Sequence, residues 1–127
     1  MYLLIDISQR DLIHLALFDE SFFSEKSYEG QNRFLLECID KIVRSKKIKV
    51  ENLRGIMVVV GTGSFTSTRI ACVVANSFAY TLQIPLLAIK VEEVGVVQKL
   101  IPKLLKQKKG NYLSATYSGE PNIGPSR

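Results

Sequence analysis

Gly55-Ile56-Met57-Val58-Val59-Val60-Gly61-Thr62-Gly63-Ser64-Phe65-Thr66-Ser67-Thr68-Arg69-Ile70 is the stretch on which the fold turns. Its first half sets five apolar residues, Ile56 to Val60, in a row without alternation. A strand with one wet face alternates, so an unbroken apolar run reads as a strand covered on both faces. In the second half, two glycines among hydroxyl side chains lead into a helix predicted from Thr66 to Gln83. Glycine permits the tight turn, and the first free amides of a helix attract anions. Equally, Ser64 or Thr66 serves as a plain helix cap, and both readings stand. No Gly-Lys-Ser/Thr follows at P-loop spacing, and Thr66 replaces the third glycine of a dinucleotide fingerprint, although Glu92 sits where a ribose-binding acid would.

Downstream, Pro85 precedes a strand predicted over Leu86 to Val91, which makes a parallel strand–helix–strand crossover. Upstream, Tyr2 to Ile7, Leu12 to Phe18 and Phe22 to Tyr28 read as an antiparallel meander with turns at Ser8–Asp11 and Asp19–Ser21. The polar third strand suits a sheet edge. A helix starting near Gln31 or Asn32 then joins the meander to the buried strand. The order βββαβαβα predicts an α/β domain with a mixed five-stranded sheet and helices on its faces. Residues 1–109 form this single domain, and residues 110–127 form a turn-rich tail.

Both helices carry more apolar surface than a sheet needs. Phe34, Leu35, Leu36, Cys38, Ile39, Ile42 and Val43 cover a wide arc of the first. On the second, Ala71, Ala75 and Ala79 form a small-residue ridge, Ile70, Val74 and Phe78 lie beside it, and no charge occurs from 70 to 89. Monomers avoid exposing so much apolar surface. Phe34, Cys38, Ile70, Ala71, Val74, Ala75 and Phe78 are therefore the expected partner surface.

The chain has 127 residues, 46% hydrophobic and 23% charged, without tryptophan, which suits one soluble globular domain. The uncharged run has bilayer length, but Asn76, Ser77, Thr81, Gln83 and Pro85 interrupt it, so no membrane span is expected. Two cysteines in apolar helical patterns, and no leader pattern at the N-terminus, exclude a disulfide-framed secreted module and predict a cytoplasmic protein. The net charge of +5 sits wholly in the second half, largely in Lys99, Lys103, Lys106, Lys108 and Lys109. These read as the solvated face of an amphipathic helix over Leu100, Ile101, Leu104 and Leu105, or as a contact for nucleic acid, with no aromatic residue interleaved.

Catalytic parts are scarce. The single histidine, His14, lies in a strand and reads as a packed or edge residue, and no cysteine pair or histidine pair has metal-ligand spacing. Asp6, at the end of the first strand, is placed like an active-site acid or like an ordinary turn residue. No nucleophile–base pair supports a peptidase reading. No cofactor and no metal are expected.

Ile5-Asp6-Ile7-Ser8 opening a meander, followed by Gly61-Thr62-Gly63-Ser64-Phe65-Thr66-Ser67-Thr68-Arg69-Ile70, resembles the TsaB-type dimerisation subunits of the bacterial tRNA threonylcarbamoyladenosine machinery. The resemblance covers about residues 2 to 92. Ile7 stands where the family usually has threonine, and Thr62, Ser67 and Thr68 stand for proline, glycine and leucine. The resemblance implies an actin-like ATPase lobe (ASKHA, ribonuclease-H-like), here in a one-lobed short form. It implies a non-catalytic subunit paired through its first two helices with a TsaD-like paralogue, working with a TsaE-like ATPase. Such a complex transfers threonylcarbamoyl to N6 of adenosine 37 of tRNA, and the lysines would touch tRNA through it. A homodimer through the same face is the other arrangement. The family's phosphate turn maps onto Asp6, Ser8, Gly61, Gly63, Ser64 and Thr66, the place for a nucleotide if one binds. The alternative function is a stand-alone nucleotide-binding domain of the same class with weak ATP binding or hydrolysis.

Overall fold

The structure, a computed structural model, describes residues 1–30, 32–61 and 65–109. Five strands, β1 (Tyr2–Asp6), β2 (Leu12–Phe18), β3 (Phe23–Glu29), β4 (Gly55–Val59) and β5 (Leu86–Ile89), form one sheet in the order β3-β2-β1-β4-β5. β1, β2 and β3 pair antiparallel, whereas β1–β4 and β4–β5 are parallel. The mixed sheet and its polar edge strand match the sequence reading. β3 exposes five of its seven positions, half-buries Ser24 and Tyr28, and buries none fully.

Three helices, α1 (Leu35–Ser45), α2 (Phe65–Leu82) and α3 (Ile101–Leu105), complete the domain. β4 is buried at every position because both faces are covered. On one face α1 and α2 pack over Leu3, Ile5, Ile13, Leu15, Leu17, Ile56 and Val58. On the other, the chain after β5 lays Val97, Ile101 and Leu104 over Tyr2, Leu4, Phe18, Met57 and Val59. Two apolar layers about one sheet give the domain its core.

Both long helices stop in the same way. Lys47 (φ 59°) and Gln83 (φ 57°) adopt left-handed backbone, and the amides of Ile48 and Ile84 bond the carbonyls of Val43 and Ala79. These are Schellman closures, which satisfy the last carbonyls of a helix. The second turns the chain straight into β5, whereas a 3-10 turn over Val50–Asn52 separates the first from β4.

Two expectations change. The lysine-bearing helix is not a continuous amphipathic helix. It is a 3-10 segment over Val91–Leu100, kinked at Val96 (φ −125°, ψ 25°), followed by the five residues of α3. Pro102 lies in the first turn of α3, where it lacks the amide that an upstream helix would need to run through. The first helix likewise begins as a 3-10 turn, Asn32–Phe34, before α1. The tail from 110 lies outside the described residues.

Candidate functional site

The β1–β2 turn gathers the polar chemistry of the sheet's Asp6 end. Asp6 Oδ1 accepts hydrogen bonds from the Ser8 amide (3.0 Å) and hydroxyl (2.6 Å), a turn closure of the type aspartate favours. The register pairs Asp6 with His14, so Asp6 Oδ2 lies 3.8 Å from His14 Nδ1. On its other side, His14 Nε2 bonds Glu25 Oε1 of the edge strand at 2.7 Å. His14 is thus held between two carboxylates.

A cavity of about 350 Å³ opens beside this row, with Asp6, Gln9, His14 and Ser27 on its polar side and Leu12, Val91 and Val94 on its apolar side. The two ring nitrogens point to opposite carboxylates, so the three side chains do not converge on one ion. Among the described residues no group of three or more His, Cys, Asp and Glu is arranged to hold a metal. Ser8 donates to the acid and not to the imidazole, so a serine–histidine relay is not assembled here.

Asp6 next to His14 raises the histidine's pKa most, burial works against it, and the Glu25 bond adds to the rise. Burial pushes the Asp6 carboxyl upward, but bonds from His14 and Ser8 outweigh it and hold the group below its ordinary range. A raised imidazole value means that protonated His14 stabilises the fold. That contribution is complete below about pH 6.5 and is lost as pH climbs through the folded value. The Asp6 contribution runs the other way, present above about pH 4 and lost on acidification. Thermal melts of the wild type against His14→Gln should therefore show the wild type's advantage shrinking between about pH 6 and pH 8. A pH-independent difference would contradict the pairing.

Gly61 closes β4 in left-handed backbone (φ +88°), and nothing lies within 4 Å of where a Cβ would sit. Space is open there, but the conformation is not one an L side chain prefers. Gly61→Ala should cost about 1–2 kcal/mol in a denaturant melt. Gly63 and Ser64 lie outside the described residues, and so does the side chain of Thr66. Of the expected phosphate turn, Asp6, Ser8 and Gly61 are described.

The expected partner surface divides. Cys38 (5% exposed), Ala71 (1%) and Ala75 (0%) belong to the core under α1 and α2, so a partner cannot reach them. The small ridge serves close packing of α2 inside the domain. Ile70, Val74 and Phe78 are half-buried against the same core. Among the described side chains, the exposed apolar groups of this layer are Phe34 (38%), Leu36 (58%), Val73 (62%) and Tyr80 (65%). Of these, only Phe34 was in the expected set. Burial pushes the Cys72 thiol up to about 11 and the Cys38 thiol upward too, so neither offers a thiolate near neutrality.

Lys99, Lys103, Lys106, Lys108 and Lys109 are all exposed. They lie away from the Asp6 turn. Leu104 packs against Tyr2 and Gly55, which places α3 at the opposite end of the sheet.

The family model described as TsaD, tRNA N6-adenosine threonylcarbamoyltransferase, matches residues 26–106. The chain belongs to this family. Among solved structures, this TsaD-family chain is similar to YeaZ from Pseudomonas aeruginosa, with 25% identity and a TM-score of 0.64 over 70% of this chain and 44% of that one. A second structure, described as an uncharacterized protein with similarity to peptidase YeaZ from Pseudomonas aeruginosa, matches with 25% identity and a TM-score of 0.64 over 70% of this chain and 42% of that one. No curated protein matches it at the level of sequence. The TsaD-family chain therefore spans less than half the length of these two relatives and shares their actin-like, ribonuclease-H-like lobe. Among the described residues no helix is long and apolar enough to cross a membrane.

The Asp6–His14–Glu25 row is what sequence reading missed. Strands at 2–7 and 12–18 joined by a four-residue turn would set Asp6 opposite Ile13; the observed register lies one residue on, with Asp6 opposite His14, so the strand bounds alone did not signal the pair. Glu25 follows from the second hairpin, where it faces Ala16, one position along the same face from His14.

Proposed function

We propose that this chain is a non-catalytic scaffold subunit that pairs with a TsaD-like paralogue and supports threonylcarbamoyl transfer to N6 of adenosine 37 of tRNA. A TsaE-like ATPase completes the complex, and the setting is the cytoplasm. The observation that carries the reading is the helix layer. Phe34, Leu36, Val73 and Tyr80 expose large apolar groups on elements whose inner faces are already buried. Solvent gains nothing from such a surface, and a partner helix pair does. Family membership and the likeness to YeaZ support the same setting.

The chemistry of the Asp6 end agrees with a supporting role. Both Asp6 oxygens face groups of the domain itself, Ser8 and His14, so the acid is not free for a metal–nucleotide complex without displacing one of them. That weighs against the alternative, stand-alone ATP binding or hydrolysis. Co-expression with a tagged TsaD-like paralogue should retain the chain in a stoichiometric complex. Calorimetry with ATP and magnesium on the isolated chain should show no saturable micromolar binding. Strong ATP binding without retention by the paralogue would reverse the choice.

A further inference from the structure

The topology brings two separate basic segments to one end of the sheet. α1 runs back from the edge strand and ends where β4 begins, which sets Lys46, Lys47 and Lys49 at the Tyr2 end. Arg54 follows at the mouth of β4, its amide bonded to the Met1 carbonyl (2.8 Å). The chain after β5 crosses the opposite face from the Asp6 cavity to the same Tyr2 end, because Val91 and Val94 line that cavity while Leu104 seats against Gly55. It delivers Lys99, Lys103, Lys106, Lys108 and Lys109 there.

All nine of these side chains are exposed, and three carboxylates, Asp19, Glu20 and Glu51, share that end with them. Among the described residues the ion pairs are Arg10–Asp11, His14–Asp6, His14–Glu25 and Arg44–Asp40, so none of the nine is neutralised by a carboxylate. Nine cations against three unpaired carboxylates leave a net positive pole, which attracts a polyanion.

An aromatic ring joins them. The β2–β3 turn projects Phe22 (37% exposed), and Lys46 Nζ lies 5.8 Å from its ring centroid. Gln98 fixes that turn to the crossing segment through its bonds to the Asp19 and Phe22 carbonyls (2.9 and 3.3 Å). No aromatic interleaves the lysines in sequence, but the fold supplies one from the hairpin. Lysines around an exposed ring are what an unpaired nucleotide stretch needs, cations for phosphates and a π-face for a base. An anionic lipid surface would use the lysines without requiring the ring.

We propose that this basic pole, built from the α1–β4 connection and the α3 segment with Phe22 at its rim, binds an unpaired stretch of nucleic acid. The site is distinct from the Asp6 turn and goes beyond the pairing reading. It is read on the isolated full chain, so its failure and a failure to pair with the paralogue are separate results.

The test is a fluorescence-anisotropy titration with a labelled single-stranded RNA of about 20 nucleotides, matched to a duplex and to phosphatidylserine vesicles. With about four phosphates engaged, affinity for the single strand should fall roughly fiftyfold between about 50 and 200 mM salt. Lys46→Glu/Lys47→Glu and Lys103→Glu/Lys106→Glu should each weaken binding by roughly tenfold or more and lower the salt slope by about 1.4, while the corresponding Lys→Arg pairs keep it. Phe22→Ala should weaken single-stranded binding by about fivefold or more and leave the duplex unaffected. Unchanged circular dichroism melts show that the variants fold. The proposal is overturned if binding ignores salt, if either lysine pair is dispensable, or if vesicles bind as tightly as RNA with Phe22 without effect.

Discussion

Val73→Arg is expected to abolish retention by a TsaD-like paralogue and to leave the melting temperature of the isolated chain within about 2 °C of the wild type. Val73 is 62% exposed, so in the free domain the new guanidinium stays in water. In the complex the same group would be buried against an apolar face without a partner, which costs about 3–5 kcal/mol, more than a hundredfold in affinity. Ala75, two positions along α2, behaves differently. It is fully buried, and arginine there meets the core under α1 and α2. Ala75→Arg should lower the melting temperature by roughly 10–20 °C, since about 3–5 kcal/mol is a large part of a small domain's stability. The pair separates docking from folding, which Ala75→Arg alone cannot do. Retention of Val73→Arg by the paralogue would remove Val73 from the interface.

Leu104→Ala is expected to cost about 2–5 kcal/mol and to release the segment over residues 91–105. Leu104 is fully buried, and with Val97 and Ile101 it is one of three fully buried anchors for this segment. α3 has five residues, too few to persist as a helix without that packing. Hydrogen exchange should show lost protection across the segment, while α1 and α2 keep theirs. Leu105→Ala, at a position 49% exposed, should change stability by less than about 0.5 kcal/mol. Gly55 supplies the complementary check. A Cβ there would sit 2.7 Å from Leu104 Cδ2 and 3.2 Å from Tyr2 Cδ1, so Gly55→Ala is destabilising alone. With Leu104→Ala present, most of that added cost should vanish, a coupling that independent sites would not show.

Strand content and sheet pattern were legible because they rest on periodicity. The unbroken Ile56–Val60 run forecast a strand covered on both faces, and β4 is buried throughout. The polar third strand forecast an edge, and β3 is one. The lysine-bearing segment was misread because leucines at helical spacing outweighed Pro102, whose missing amide divides the run. Helix faces were harder. Spacing identifies an apolar arc but not which part of it meets the sheet, so Cys38, Ala71 and Ala75 were placed outside when the core needed them. Contacts between residues far apart in the chain had no local signal. Lys46 meeting Phe22, and Gln98 meeting the carbonyls of Asp19 and Phe22, follow from the crossing paths of whole elements.

Reconstitution tests the scaffold role most directly. Unmodified tRNA and threonylcarbamoyl-adenylate are incubated with this chain, with the TsaD-like paralogue, or with both, and modified adenosine is counted after nuclease digestion. The predicted result is no product from the chain alone, little from the paralogue alone, and a marked rise with both that Val73→Arg removes. Product formed by this chain without the paralogue would contradict the account.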